Sequence, residues 1–335
     1  MKRKSNQALT AATVGLTIGL MVGSMMKQSA WMIHTIPDEG CNRSPVAPQP
    51  PLSLPLKSSP TLPLQRVFQS GARLFPESCD KIKESPFDKV YKEGLVWGNK
   101  MQVPEDFYSN AAWPPKERHS GSGHGSDLGY TTATSLQFLR EVIRGFNVTS
   151  MIDLPCGDAN WIFDSWETDS LELYIGLDIV KSVIDLNSQR LAHHSNKVFR
   201  HWDGVQCPLP KFSTGEAGGG AGGAPRAVDL IHSRDVLQHL TTGQGIDFLC
   251  NVFQSGAAVF VTTSCPRGSN RDIAEGDFFL ADLTAAPYDL PRYYTTNKCV
   301  ATHPNIERDV TCVYDLTLPW VRPWVAQKCH ARVSK

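Results

Sequence analysis

The sequence lacks a net charge, a cysteine pattern for zinc and any internal repeat. Lys and Arg together number 33, as do Asp and Glu, so no global field attracts nucleic acid or an acidic substrate. The nine cysteines include no C-x-x-C pair and no Cys/His spacing typical of zinc, so we expect no metal site. Their odd number is compatible with reduced thiols or with partial pairing in an oxidising lumen. These absences argue against a nucleic-acid-binding protein and against a structural zinc site.

The N-terminal region lacks acidic residues. Residues 8–26 contain neither a charge nor a proline, and they follow the basic cluster Lys2-Arg3-Lys4. Nineteen residues at about 1.5 Å per residue span roughly 28 Å, close to the ~30 Å hydrocarbon core of a bilayer. We therefore predict a single-pass signal anchor over 1–36, which places the rest of the protein in the lumen of an endomembrane compartment. A cleaved signal peptide and an organellar transit peptide are the alternatives.

Composition divides the rest of the chain. Residues 37–78 are rich in proline and have little helical or strand periodicity, which is typical of an extended stem or linker. We predict one folded domain over 79–330. Within it, the glycine-rich stretch 213–226 lacks the side chains of a packed element and is interpreted as a surface insertion between two strands.

Helical and strand patterns alternate from residue 131 onward, which predicts an α/β doubly wound parallel sheet. Apolar spacing predicts a first helix through Leu136, Leu139, Ile143 and Phe146. The predicted strands are 149–154, 171–177, 197–202, 227–232 and 257–263. The other predicted helices begin near Asp158 or cover 180–192 and 242–254. A late β-rich run, 310–317, is expected to supply an antiparallel edge strand.

Acidic residues follow the predicted strands at the edge where such sheets bind ligands. The turn Asp153-Leu-Pro-Cys-Gly-Asp158 has one glycine and lacks the G-x-G-x-x-G pattern of pyrophosphate sites, which favours a nucleoside without phosphates. Asp178 is placed to accept hydrogen bonds from ribose hydroxyls, and Asp203 from an adenine amine. The alternatives are a helix N-cap for Asp158 and Asp178, and a turn residue for Asp203.

Four segments resemble the class I S-adenosylmethionine-dependent methyltransferases. They are MIDLPCGDANW (151–161), YIGLDIVKSVI (174–184), DLIHSRDVLQHLT (229–241) and VTTSCPRGSNRDI (261–273). They are similar to a subgroup with a D-x-P-C-G-D-x-N-W first motif and an R-D-x-x-x-H-L fourth motif. The resemblance covers roughly 95–320 and implies a Rossmann-like seven-stranded sheet. Pro155, in place of a more usual glycine, and the glycine-rich insertion depart from the wider class.

The resemblance also implies roles for single residues. Asp153, Gly157 and Asp158 would line the methionine side of S-adenosylmethionine, Asp178 would hold the ribose and Asp203 would flank the adenine. A small-residue loop would close over the cofactor; its members include Ser120, Gly121 and Gly123.

The segment after the fourth core strand contains the candidates for chemistry. Asp235 and His239 lie four residues apart and would share one face if the segment were helical. His239 could act as a base for an O or N nucleophile, with Asp235 orienting it or binding substrate. A structural Arg234–Asp235 ion pair with a packed histidine is the alternative. Asn270-Arg-Asp272 is a further substrate-side candidate.

The expected activity is direct methyl transfer to an unidentified small molecule, glycan or peptide. A nucleotide-dependent oxidoreductase is one alternative, against which the single-glycine turn argues. A non-catalytic protein that retains the cofactor fold is the other. The sequence leaves the oligomeric state open.

Overall fold

The predicted strand ends form one edge of a single sheet. The computed structural model describes residues 79, 82, 85–88, 95–96, 99–102, 120, 122, 126, 130–162, 166–212, 225–292, 298–301 and 310–329. The predicted anchor (1–36) and the predicted stem (37–78) lie outside these residues. So do Gly121, Gly123 and residues 213–224 of the insertion.

Nine strands occur in the described residues. They are β1 (Leu95–Val96), β2 (Asn99–Gln102), β3 (Ser150–Asp153), β4 (Leu173–Asp178), β5 (Lys197–His201), β6 (Leu230–Ser233), β7 (Val259–Ser264), β8 (Lys298–Ala301) and β9 (Val310–Asp315). β1 and β2 form a small antiparallel pair. The other seven form a mixed sheet in the order β5-β4-β3-β6-β7-β9-β8, in which only β9 runs antiparallel to its neighbours. The expected seven-stranded α/β fold is therefore confirmed.

Five α-helices have both ends within the described residues. They are α1 (Tyr130–Gly145), α2 (Trp166–Asp169), α3 (Lys181–Arg190), α4 (Thr242–Phe253) and α5 (Val321–Lys328). α3 connects β4 to β5 and α4 connects β6 to β7. Since these two parallel crossovers run in opposite directions along the sheet, right-handed connections place α3 and α4 on opposite faces. The sheet is therefore doubly wound. Every residue of β3, β4, β6 and β7 is buried, as expected for strands covered on both faces.

The strand order reverses between β3 and β6. From β3 the chain proceeds to β4 and β5 on one side, and from β6 it proceeds to β7 on the other. Ligands of open α/β sheets bind outside the carboxyl ends of the strands at such a switch point. Asp153 and His232 are register partners there, since they lie directly opposite each other in the β3–β6 pair.

Three predictions about elements were wrong, and some elements were not predicted. The chain beyond Asp158 does not enter a helix but turns through Ile162, and α2 has only four residues. β9 is antiparallel as predicted, yet it lies between β7 and β8, so the edge strand is β8, which was not predicted. Phe146 lies beyond the end of α1 and is 41% exposed. α5 was not predicted from the sequence.

Three disulfides join distant parts of the domain. Cys79 pairs with Cys207, Cys250 of α4 with Cys329 directly after α5, and Cys299 with its cross-strand neighbour Cys312. Cys156 and Cys265 are buried and belong to none of these disulfides. Of the two alternatives that the sequence left open, the structure therefore has partial pairing.

A β-bridge marks the base of the glycine-rich insertion. Phe212 and Arg226 exchange two backbone hydrogen bonds of 2.9 and 2.8 Å, and the guanidinium of Arg226 lies 4.7 Å from the centre of the Phe212 ring. The described residues at the two ends of the insertion therefore lie side by side between β5 and β6.

Within the described part of the chain, no helix has both the length and the hydropathy to span a bilayer. Residues 8–26, on which the anchor prediction rests, lie outside that part.

Candidate functional site

The turn after β3 is held against the end of β4 by hydrogen bonds. Gly157 has a φ of 52°, a left-handed conformation that glycine adopts without strain. Its amide donates to Oδ2 of Asp178 over 2.9 Å, and its carbonyl accepts from the Asn187 side chain over 2.7 Å. The predicted turn glycine and the predicted ribose-binding acid are thus direct neighbours.

Asp178 is a buried carboxyl at the end of β4. Oδ1 accepts the amide of Val180 over 2.9 Å, so both carboxyl oxygens have a backbone donor. Burial raises the pKa of Asp178 to about 6, although these two hydrogen bonds act in the opposite direction. Val180 is the N-cap of α3, so Asp178 precedes the cap position, and its bond to the Val180 amide leaves further acceptor capacity on the carboxylate.

Asp153 lies deeper than the sequence suggested. Its Oδ2 accepts the hydroxyl of Tyr174 over 2.7 Å, and its Oδ1 accepts Nδ1–H of His232 over 2.7 Å. All three residues are buried. Asp153 therefore connects β3 to both neighbouring strands beneath the turn, which orients His232 as well as the turn itself.

The described residues of the small-residue loop contact the first motif; its expected closure over the cofactor stays a prediction. Oδ1 of Asp158 accepts the hydroxyls of Ser120 and Ser122 over 2.9 and 3.3 Å, and its amide donates to Ser122. The Asn160 side chain donates to the carbonyl of Ser126 over 3.0 Å. Asp158 thus holds the loop as well as the turn, while Gly121 and Gly123 lie outside the described residues.

Asn187 and Cys156 support the same turn from α3 and from the turn's interior. The amide of Asn187 reaches Gly157 and, over 3.8 Å, the sulfur of Cys156. Burial raises the pKa of Cys156 far above that of an ordinary thiol, which fits a packing residue and not a nucleophile. Asn187 was missed because a buried asparagine in a helix has no motif. Its position in α3, one helical turn before Arg190, does not indicate this contact.

Asp203 lies next to Asp178 across the sheet edge. The amide of Trp202 donates to the carbonyl of Asp178 over 2.8 Å, and Oδ1 of Asp203 accepts the amides of Val205 and Gln206. In the part of the chain that the structure describes, Oδ2 has no hydrogen-bond partner. Beside Asp203, Trp202 is buried in the apolar core and Val205 is partly exposed.

The segment after β6 is not the α-helix that would place Asp235 and His239 on one face. Asp235 has a φ of 55°, its amide donates to the Thr263 hydroxyl over 2.8 Å, and only Leu237–His239 form a 3₁₀ helix. The spacing argument for the pair was therefore wrong. The two residues still interact, because the charge of Asp235 acts on the pKa of His239.

His239 is a buried imidazole, and its burial favours the neutral form. Its Nδ1 donates to the carbonyl of Asp277 over 2.9 Å, so Nε2 of the neutral ring is the unprotonated nitrogen. Burial lowers the pKa of His239, and the hydrogen bond and the charge of Asp235 oppose that effect only in part. A histidine in this state can accept a proton near neutral pH.

The substrate-side candidates 270–272 have structural partners. The Asn270 amide donates to the carbonyls of Asp282 and Ala286, and its oxygen accepts the Asp282 amide. Asp272 accepts the amide and hydroxyl of Thr242 at the start of α4. Both side chains hold the loop after β7 in place. This structural role accounts for them without any contact to a substrate.

Arg234 and Trp161 complete the edge of the sheet at the switch point. The Trp161 ring lies 5.5 Å from the ring of His232 and 5.4 Å from the guanidinium carbon of Arg234. Sequence reasoning placed Arg234 only as an ion-pair partner of Asp235 and did not place Trp161. Both could have been identified from the sequence, because Trp161 follows the turn of the first motif and Arg234 directly follows a buried strand.

Among the residues that the structure describes, no three His, Cys, Asp or Glu side chains are grouped as metal ligands would be. The edge instead combines buried acids, a neutral histidine and a buried guanidinium.

Solved structures similar to this chain include methyltransferases. The N-methyltransferase NodS from Bradyrhizobium japonicum, in complex with S-adenosylhomocysteine, is 16% identical with a TM-score of 0.39, over 55% of this chain and 87% of that one. Magnesium protoporphyrin IX methyltransferase from Synechocystis, with bound S-adenosylhomocysteine, is 14% identical with a TM-score of 0.31, over 41% of this chain and 57% of that one. Phosphoethanolamine N-methyltransferase 1 from Haemonchus contortus is 14% identical with a TM-score of 0.35, over 58% and 47%.

Similarity at this level identifies neither an activity nor a substrate. No protein-family model and no curated protein matches the chain.

Proposed function

We propose that this protein is an S-adenosylmethionine-dependent methyltransferase of the class I type. The observation that supports it most is the direct contact between Asp178 and Gly157 at the edge of the switch-point sheet. That contact places a buried carboxylate beside a one-glycine turn, where a ribose diol could donate to it. Asp203 follows on the neighbouring strand with Oδ2 oriented by no described partner, and it can accept from an adenine amine.

The groups at this edge of the sheet fit a nucleoside with an amino-acid tail better than a dinucleotide. The described turn offers one glycine with positive φ at its centre and no row of amides shaped for a pyrophosphate. Acids on three adjacent strands, Asp153, Asp178 and Asp203, would repel phosphates. They suit hydroxyls, an exocyclic amine and an ammonium.

When bound, S-adenosylmethionine supplies an electrophilic methyl group. The chain's own contribution is to place an acceptor O or N against that group and to receive its proton. We assign proton acceptance to Nε2 of His239, whose Nδ1–H is held by the carbonyl of Asp277. Asp235, 26% exposed at the side chain, would orient the acceptor or stabilise the imidazolium that forms.

Calorimetry and thermal denaturation with S-adenosylhomocysteine, and with NAD as comparison, test the cofactor assignment. We expect S-adenosylhomocysteine to raise the melting temperature, since ligand at about 100 times its Kd stabilises a protein by roughly 2.7 kcal/mol. NAD should have no effect. Binding of NAD alone would favour the oxidoreductase alternative, and absence of binding to either would contradict the proposal.

Transfer of labelled methyl groups to components of a cell extract separates an enzyme from a non-catalytic cofactor-binding protein. A protein that is stabilised by S-adenosylhomocysteine and labels nothing would favour the non-catalytic alternative. A labelled product would also identify the acceptor, for which we propose a small molecule, a glycan or a peptide.

We further propose that the domain resides in an oxidising lumen. The three disulfides Cys79–Cys207, Cys250–Cys329 and Cys299–Cys312 support this, because such bonds persist in secretory compartments and are rare in reducing ones. Anchoring through residues 8–26 remains a prediction from the sequence.

A further inference from the structure

Arg234 has a buried guanidinium whose hydrogen-bonding groups are unused. Its side chain is 4% exposed, and Nε, Nη1 and Nη2 all lack a hydrogen-bond partner in the described structure. A guanidinium has five N–H donors and stays charged in proteins. Because a buried charge without hydrogen bonds is strongly unfavourable, this arrangement calls for a partner that the described residues do not supply.

The protein compensates the charge of Arg234 only partly. Nη1 lies 3.5 Å from Oδ2 of Asp235, which is an ion-pair distance beyond the ordinary hydrogen-bond range of about 2.7–3.2 Å. The ring of Trp161 covers one side, 5.4 Å from the guanidinium carbon. An aromatic face attracts a cation but offers no acceptor for its N–H groups, so the donors in the guanidinium plane remain unsatisfied.

The position of Arg234 is that of a ligand-binding residue. It follows β6 at the switch point of the sheet, where ligands of such folds bind. Trp161 is the last residue of the first motif, and its ring also contacts His232, the partner of Asp153. The guanidinium thus lies between the first motif and the segment that contains Asp235 and His239.

The geometry points to a carboxylate as the missing partner, and we propose that Arg234 binds the carboxylate of a ligand in this site. The planar fork of a guanidinium matches the two oxygens of a carboxylate in a bidentate contact. A dianion such as phosphate is disfavoured, because Asp235 places a negative charge beside the same guanidinium. This inference rests on the proposed methyltransferase function, and the carboxylate belongs either to the methyl acceptor or to the amino-acid tail of the cofactor.

Calorimetry with two nucleosides distinguishes the two sources. S-adenosylhomocysteine has the amino-acid tail, and 5′-methylthioadenosine has the same nucleoside without it. If Arg234 binds the tail, Arg234→Met should weaken binding of S-adenosylhomocysteine about 10- to 100-fold and leave binding of methylthioadenosine unchanged. Arg234→Lys keeps the charge without the fork and should lie between the wild type and the Met variant.

If Arg234 binds the acceptor, neither nucleoside should lose affinity. Arg234→Met should instead lose labelled products from a cell extract supplied with labelled cofactor. The wild type should lose the same products when the carboxylates of the extract are first converted to methylamides.

Arg226→Met is the matched control, because Arg226 also lies over an aromatic ring but is exposed and precedes β6 at its opposite end. Near-ultraviolet circular dichroism reports whether each variant is folded, and Arg234→Lys serves if the Met variant is not. Equal loss of both nucleosides, or unchanged binding and labelling in a folded Arg234 variant, would overturn the inference alone. A wild type that binds neither nucleoside would overturn the proposed function together with it.

Discussion

At the scale of single residues, the candidate site combines two groups whose pKa values burial has shifted in opposite directions. Burial raises the pKa of Asp178 to about 6 and lowers that of His239. In both cases the neutral form is favoured over the charged form. Such shifts are frequent in active sites, and here each group also has a fixed hydrogen bond that orients it.

The first prediction concerns Asp178. Asp178→Ala removes the acceptor for the proposed ribose hydroxyls, so calorimetry should show S-adenosylhomocysteine binding weakened by roughly 1.5–3 kcal/mol, about 10- to 100-fold. Asp185→Ala is the control, because Asp185 is an exposed acid on α3 that pairs only with Lys181. Unchanged affinity in a folded Asp178→Ala variant would remove this residue from the site.

The second prediction is a pH dependence of binding. A carboxyl accepts two hydroxyl hydrogen bonds best when ionised, so affinity for S-adenosylhomocysteine should fall as pH decreases from 7 to 5 through the pKa of about 6. The sign for the free protein is opposite. A raised folded pKa stabilises the fold below the unfolded value of 3.8, and this contribution is lost as pH rises through about 6. Asp178→Asn should abolish the pH dependence of binding, which titration calorimetry at several pH values would detect.

The third prediction separates a catalytic His239 from a packed one. In His239→Asn the amide nitrogen can replace the Nδ1 donor to Asp277, but nothing replaces Nε2. We expect methyl transfer to fall at least about 100-fold, with unchanged affinity for S-adenosylhomocysteine. Undiminished labelling of extract components by this variant would mean that the histidine only holds the loop at Asp277.

At the scale of elements, the buried strands were predictable and the irregular ones were not. β3, β4, β6 and β7 are buried on both faces, so their sequences are continuous apolar runs that stand out against polar surroundings. β8 is only four residues long and begins with Lys298, which gives no such signal. α5 contains Pro323, which weakens any helical prediction.

The helix predicted from Asp158 failed for a backbone reason. Gly157 and Ala159 both have positive φ, which no right-handed helix allows. The turn is instead fixed by contacts with distant residues, namely Asp178, Ser120 and Ser122. Local propensity cannot reveal such partners. In the same way, the location of the acids at the sheet edge was predictable, but the deep position of Asp153 between Tyr174 and His232 was not.

The fourth prediction concerns the glycine-rich insertion. Deleting residues 218–223 should change the free energy of unfolding by no more than about 0.6 kcal/mol, because closure entropy changes slowly with loop length. The Phe212–Arg226 bridge closes the loop at its base in either case. Thermal denaturation checks this, with Phe212→Ala as the comparison that should destabilise. A large loss of stability in the deletion variant would mean that the insertion is packed.

At the scale of the whole molecule, the disulfides and the candidate ligand-binding groups lie in different parts of the domain. The three disulfides constrain the segment before β1, the end of α5 and the β8–β9 edge. The candidate ligand groups instead lie at or just beyond the carboxyl ends of β3, β4, β5 and β6. Stabilising crosslinks outside the site leave the turn and the serine loop to be held by hydrogen bonds, which a ligand can rearrange.

The last prediction concerns topology, and the structure adds one fact to it. Asn147 of the sequon Asn147-Val-Thr149 is exposed in the turn between α1 and β3. A domain that folds in a lumen should therefore carry a glycan there that an endoglycosidase removes and that Asn147→Gln abolishes. A second sequon, Asn42-Arg-Ser44, lies outside the described residues.

With Lys2-Arg3-Lys4 in the cytoplasm and residues 8–26 in the bilayer, the full-length protein expressed in eukaryotic cells should also resist carbonate extraction. Deleting residues 1–36 should abolish both the membrane association and the glycan, since the chain would then remain in the cytoplasm. A soluble, processed protein inside an organelle would contradict the anchor. It would leave the methyltransferase proposal intact, because that proposal depends on the sheet edge formed by Asp153, Asp178 and Asp203 and on no residue before Cys79.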